Sequence, residues 1–197
     1  MGLGYKGSFA YEMPAGVGAT FAAPLYRVLA GRGVRFRFFH RVEELVPDGE
    51  EVATIRITRQ AALRDGRYNP LAKDTELCGW PRTPHYAQLD AAHAVLLQER
   101  EVDLEAAGSG WPQLYLDQFG QPLPELELRR GRDFDKVVFG IGAVALPALC
   151  PQLLARSAPL KAAAEQPSVQ YRLAADGAGF SNLYLAGDWI KTGLDAP

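Results

Sequence analysis

Cysteine is almost missing from this chain. Cys78 and Cys150 are the only two in 197 residues, too few for a disulfide scaffold and without zinc-ligand spacing. Histidine is scarce too: His40, His85 and His93 are scattered and form no catalytic or metal-binding set. His40 and His93 read as structural, His93 at the edge of a core. No serine stands in a nucleophile elbow, since Ser109 lies in Gly108-Ser109-Gly110 without the five-residue motif. Long apolar runs are lacking. The longest, residues 137–150, contains Pro147 and falls short of the roughly 18 residues that cross a bilayer. Charge of one sign is not in excess: 21 Lys and Arg face 23 Asp and Glu, a formal net charge of -2. The net charge therefore predicts neither a nucleic-acid nor an anionic-membrane partner. Residues 1–6 lack a basic segment followed by an apolar one, so no signal peptide is expected. A reducing cytoplasm is the expected location.

What is present is an ordinary apolar fraction, 48%, in a chain long enough to bury a core without staples. Residues 1–20 are rich in glycine and proline and read as loop. Phe21, Leu25, Val28 and Leu29 share a helical face that Gly31-Arg32-Gly33 ends, with Thr20 as a plausible cap. Residues 34–39 alternate, placing Val34, Phe36 and Phe38 on one side of a predicted half-buried strand that residues 40–46 could continue. Pro47-Asp48-Gly49 turns the chain, and residues 51–58 alternate again, which predicts a β-hairpin. Residues 64–84 read as an irregular excursion holding Trp80. Residues 85–100 suit one helix, residues 108–124 a loop, and Leu126 and Leu128 a strand followed by a turn at 130–133. Arg129, Arg130 and Arg132 flank that turn as a solvated cluster.

Residues 134–141 are nearly all apolar and end in Gly140-Ile141-Gly142. That pattern predicts a parallel strand buried on both faces. A helix follows over 145–157, in which Cys150 is expected to be buried and inert. Residues 182–188 form a second buried strand, ending in Gly187-Asp188. Ligands of open α/β sheets sit beyond the carboxyl ends of parallel strands, so Gly142 and Gly187 are candidates for the rim of one crevice. Asp188 would be a hydroxyl acceptor there, although Gly187-Asp188 fits an ordinary turn equally well. Gly2-Leu3-Gly4-Tyr5-Lys6-Gly7 spells a dinucleotide fingerprint, but no strand precedes it. Gly16-Val17-Gly18 precedes a helix and fits either a phosphate loop or a plain loop.

Asn182-Leu183-Tyr184-Leu185-Ala186-Gly187-Asp188-Trp189 resembles the carboxyl-terminal flavin motif of the amine oxidase and phytoene desaturase superfamily. Met13-Pro14-Ala15-Gly16, Phe21-Ala22-Ala23-Pro24-Leu25-Tyr26, Gly33-Val34-Arg35-Phe36, Phe39-His40-Arg41-Val42 and Phe134-Asp135-Lys136-Val137-Val138 extend the likeness to a bacterial desaturase-like branch. The resemblance implies an α/β chain: a partial FAD-binding, Rossmann-like domain with an antiparallel β-section. Residues 1–165 would carry that domain with its hairpin and irregular insertion, and 166–197 its flavin-motif segment. FAD would be the cofactor, taking hydride from an unknown small organic substrate. By the same resemblance Val42 matches the strand whose main chain meets the adenine. Gly140, Gly142 and Ala143 match the turn near the dinucleotide, and Gly187 and Asp188 the pair beside the pyrophosphate and ribityl chain. No catalytic residue and no metal ligand carries over.

Two departures stand beside the likeness. The superfamily's amino-terminal strand, glycine fingerprint and ribose-binding acid have no counterpart, and only residues 165–170 stand where a long substrate-domain segment is usual. Asp195-Ala196-Pro197 reads as a helix start. These features lead to the expectation of an enzyme fragment that alone binds FAD weakly or not at all, with an exposed sheet edge prone to self-association. The alternatives are a non-enzymatic remnant and a binding module that completes its sheet with another chain.

Overall fold

The computed structural model describes residues 16–72, 78–106, 108–166, 170, 172–187 and 189–191. The fold is mixed α/β and divides into two compact units. The first comprises residues 1–38 and 61–103, the second residues 39–60 and 104–197.

In the first unit a π-helical turn, Gly18–Ala22, leads into α1, Ala23–Gly31, with Pro24 in its opening turn. Helical geometry already runs through Ala22 and Ala23, whose N–H donates to the Gly18 carbonyl, so Pro24 interrupts that ladder and the π turn stands directly before it. The helix stops on a Schellman motif: Val34 N–H donates to the Leu29 carbonyl at 3.0 Å and Gly33 N–H to Ala30 at 3.1 Å. Gly33 takes φ +89°, which that motif demands and which side chains resist. Thr20 is not the cap the sequence suggested. It sits inside the π turn, and its hydroxyl donates back to the Gly16 carbonyl at 3.2 Å.

The strand expected over 34–39 does not form. Residues 34–38 have no regular structure, and Phe39, at φ +57°, turns the chain before the first strand begins at His40. The alternating aromatics stack among themselves instead. Phe36 lies 4.7 Å from Tyr26 between ring centroids, and Phe38 lies 5.1 Å from Tyr68 and 6.0 Å from Trp80. Such pairs stabilise a segment without a β-partner. The helix read across 85–100 is also interrupted. A single 3₁₀ turn, Tyr86–Gln88, ends at extended Leu89, and α2 runs over Ala91–Glu99. Asp90 caps α2, its carboxylate accepting from Ala92 N–H at 3.0 Å and His93 N–H at 3.3 Å. His93 is buried, and its Nδ1 accepts from the Ala62 N–H at 3.1 Å, a structural role.

The second unit opens with the expected hairpin. Strand β1, His40–Asp48, pairs antiparallel with β2, Glu51–Arg59, and β2 pairs antiparallel with β3, Glu125–Arg129. Residues 111–119, read as loop because of Trp111-Pro112, form α3, Trp111–Phe119. The proline is a first-turn proline rather than a breaker, and left-handed Gly110 and Gly120 bracket the helix. Arg129, Arg130 and Arg132 are exposed as expected but paired, with Glu127, Glu51 and Asp133 respectively. Hydrogen bonding to Arg132, then to the Arg129 amide, holds the Asp133 carboxyl below its ordinary range.

A β-α-β unit follows. Strand β4, Val137–Phe139, pairs parallel with β5, Leu183–Leu185. Between them lie a 3₁₀ turn, Ala143–Ala145, and helices α4, Leu146–Leu149, α5, Pro151–Arg156, and α6, Ala158–Glu165. The single helix expected over 145–157 breaks at Cys150, because Pro151 supplies no N–H and disfavours helical geometry in the residue before it. The strand read through Ile141 ends at Phe139 and is not buried on both faces: Phe139 is buried while Val138 is 70% exposed. Leu146, Leu153, Leu160, Leu183 and Leu185 pack with Phe139, Val52 and Leu45 into one core. Cys150 is fully buried in it, and burial pushes its thiol up to about 12. In the native protein at pH 8, a maleimide should therefore modify the half-buried Cys78 and spare Cys150. Mass spectrometry finding equal labelling of both would show that this core opens.

Candidate functional site

The register Val137↔Leu183, Val138↔Tyr184, Phe139↔Leu185 ends the two parallel strands side by side. Beyond them the chain continues as Gly140-Ile141-Gly142-Ala143 on one strand and Ala186-Gly187 on the other. The last ladder bond, Ala186 N–H to the Phe139 carbonyl at 2.9 Å, ties the two exits together. The structure thus brings Gly140, Gly142, Ala143 and Gly187 to one end of the pair. Asp188 lies outside the described residues. Val42 is not on this sheet. It sits in β1 opposite Ile57, half-buried against the same core.

The glycines at this rim differ physically. A Cβ built on Gly140 or Gly142 meets nothing within 4 Å, and neither glycine has a positive φ. Nothing among the described residues requires glycine at either position or fills the space beside them. Gly187 has φ +125°, and its Cβ would stand 3.2 Å from the Trp189 ring. Its need for glycine therefore has a cause within the chain, through backbone geometry and the tryptophan. Ala143 is buried beneath the rim, whereas Val144 is 81% exposed.

Trp189 was not singled out as a binding residue, although it closes the Asn182–Trp189 motif. Its ring packs edge-on to Phe139 at 6.5 Å. Its indole Nε1 is buried and has no hydrogen-bond partner among the described residues. A buried N–H without an acceptor costs about 1–3 kcal/mol, and an acceptor brought by a ligand would recover that cost. Asn182 was likewise unassigned, and it holds the rim in place. Its Oδ1 accepts from Val52 N–H at 2.8 Å, its Nδ2 donates to the Val52 carbonyl at 2.9 Å, and its own carbonyl accepts from Val137 N–H at 2.8 Å. One buried amide thereby joins β2 to the start of the parallel pair.

A concavity of about 330 Å³ lies along α4–α6 and is lined by Pro147, Pro151, Leu154, Ala155 and Ala164. Its charged groups, Lys161 and Glu165, stand 3.9 Å apart on successive turns. It offers packing surface but no acid–base pair positioned on a reacting atom. Among the described residues no group of three or more His, Cys, Asp or Glu gathers as a metal site, and no helix is long and apolar enough to cross a membrane. The former Gly16-Val17-Gly18 candidate divides: Gly16 faces open space, while a Cβ on Gly18 would meet Trp80 at 3.2 Å, which accounts for that glycine by packing. No protein family, no curated protein and no solved structure matches the chain.

Proposed function

We propose that this chain is part of an FAD-binding oxidoreductase of the amine oxidase and phytoene desaturase kind, its Rossmann-like element being the unit from β4 through β5. The observation that carries the proposal is the pair of adjacent parallel strands whose carboxyl ends run into glycines, with open space at Gly140 and Gly142. Crevices of this type take dinucleotides. The residues present fit the group. Backbone at Gly140, Gly142 and Gly187 would admit a pyrophosphate or ribityl chain, and Ala143 is small enough to lie beneath it. The Trp189 indole supplies a donor in want of an acceptor, and Asp188 an acceptor for hydroxyls. Val42 would serve by its main chain. FAD, when bound, accepts hydride from an organic substrate.

The test is flavin fluorescence quenching on titration of the chain into FAD. Gly142→Val projects into space where its Cβ meets none of the described residues within 4 Å. It should keep the circular dichroism spectrum and weaken FAD binding at least tenfold. Gly187→Val is a poorer probe, because its strain against Trp189 would disturb the fold as well. Wild-type protein that leaves FAD fluorescence unchanged, or a Gly142→Val chain that binds equally well, would sink the proposal. A second reading, a module completed by another polypeptide, is favoured by the size of the parallel sheet, two strands of three residues among the described residues. It would show as tight pairing with a strand-donating partner and no flavin binding.

A further inference from the structure

The π turn and helix α1 together are apolar on both sides. Its inner side holds Ala22, Ala23, Tyr26 and Leu29, with Ala23 fully buried. Its outer side carries Phe21, Leu25 and Val28 at helical spacing, continued one turn earlier by Val17. Phe21 is 62% and Val28 51% exposed. The sequence grouped Phe21, Leu25 and Val28 with Leu29 on one face; Leu29 is half-buried, whereas the other three are exposed. Val34, Phe36 and Trp80 are further exposed apolar residues of the same unit, Phe36 and Trp80 packing against Tyr26 on the inner side. Stripes of this kind on soluble domains mark a surface that something covers.

The charges in this stretch of sequence indicate what covers the stripe. No Asp or Glu occurs between Glu12 and Glu43, while Arg27, Arg32, Arg35 and Arg37 fall within that stretch. All four are exposed, and none is paired with a carboxylate among the described residues. The balanced net charge of the whole chain conceals this local excess. We infer that the α1 face, with Val17, Phe21, Leu25, Val28 and the arginines of residues 27–37, docks on an anionic lipid surface. Exposed aliphatic side chains in a helical row enter the acyl boundary, and arginines beside them reach headgroup phosphates. Nucleic acid offers a row of Val, Phe and Leu no comparable medium, since its bases reward stacking and hydrogen bonding. Docking of this kind needs no membrane-spanning helix, and it is independent of FAD binding.

The test is sedimentation of the full chain with phosphatidylcholine vesicles, with and without phosphatidylserine. Binding should require phosphatidylserine and fall with added salt. Arg35→Ala with Arg37→Ala should weaken the partition roughly 30-fold. Phe21→Ser with Val28→Ser should abolish it, with the circular dichroism spectrum unchanged because both side chains are exposed. Failure to sediment with phosphatidylserine vesicles at low salt would overturn the inference. So would equal binding by the Phe21→Ser, Val28→Ser chain. A concentration-dependent dimer that the serine pair abolishes, without vesicle binding, would assign the face to a second copy instead.

Discussion

Replacing Asn182 by leucine should lower the unfolding free energy by about 2–5 kcal/mol, which a urea titration would read as a shift in midpoint with little change in slope. The reason lies in Val52. In the β1–β2 register Val52 faces Pro47, which has no amide hydrogen to offer. The Asn182 side chain takes up both Val52 N–H and Val52 C=O, and its own site is almost closed to solvent. Leucine has nearly the same volume but strands a buried donor and a buried acceptor, each costing about 1–3 kcal/mol. The exposed ion pairs of the three-stranded sheet, such as Arg56 with Glu44 and Arg129 with Glu127, contribute about 0–1 kcal/mol each and cannot offset that. Asn182→Asp supplies a diagnostic sign. An ionised carboxylate can accept from Val52 N–H but cannot donate to Val52 C=O, so burial would raise its folded-state pKa above the unfolded value near 4. The folded state then binds the extra proton, and the variant loses stability as pH rises through the raised pKa and regains it as pH falls. A loss under about 1 kcal/mol for Asn182→Leu, or no pH dependence for Asn182→Asp beyond wild type, would show that Val52 finds other partners.

Much of the local structure was legible because it is set by neighbours in sequence. The hairpin follows from Pro47-Asp48-Gly49 between two alternating runs, and the stop of α1 from Gly33. The parallel relation of residues 137–139 and 183–185 follows from apolar runs separated by helical sequence. Other features were illegible because they depend on which surfaces meet. The alternation at Val34, Phe36 and Phe38 has a strand's period, but the rings found Tyr26, Tyr68 and Trp80, and no strand paired with them. Trp111-Pro112 reads as loop or helix start according to whether the indole has somewhere to be buried. At the candidate site the glycine-ended strands could be read from pattern. That the Trp189 N–H has no partner among the described residues could not, because it depends on which groups surround the indole in three dimensions. The difference between Gly142, open, and Gly187, constrained by its own chain, is likewise invisible in sequence, where both are glycines after an apolar strand.

The largest single loss should come from Trp111→Ala, about 3–5 kcal/mol by analogy with other buried aromatic truncations. Trp111 is the bulkiest fully buried side chain among the described residues, and it stacks edge-on to Tyr115 at 5.7 Å. Its indole Nε1 donates to the Gln60 carbonyl at 2.7 Å. Gln60 in turn donates its amide N–H to the Phe39 carbonyl at 2.7 Å and its Nε2 to the Leu104 carbonyl at 2.9 Å. Phe39, Gln60 and Leu104 are the three points where the chain enters, leaves and re-enters the second unit. One buried glutamine, fixed by one tryptophan, thus closes the strand pair at its open end and pins the returning chain beside it. Trp111→Phe separates the parts of this arrangement. It keeps most of the apolar burial but leaves the Gln60 carbonyl without its indole donor, so it should cost about 1–3 kcal/mol. Gln60→Leu removes the link to the Leu104 carbonyl through Nε2 while preserving volume and leaving the main-chain bond to Phe39. If the three backbones are held as a unit, Gln60→Leu and Trp111→Phe should be non-additive, their double variant losing less than the sum of the singles. Limited proteolysis should then cut first near residues 60–64 or 104–110 in either variant, at segments that resist cleavage in the wild type. Additive losses, with cleavage sites unchanged, would mean that Trp111 stabilises α3 alone and that Gln60 is an ordinary end-of-strand residue.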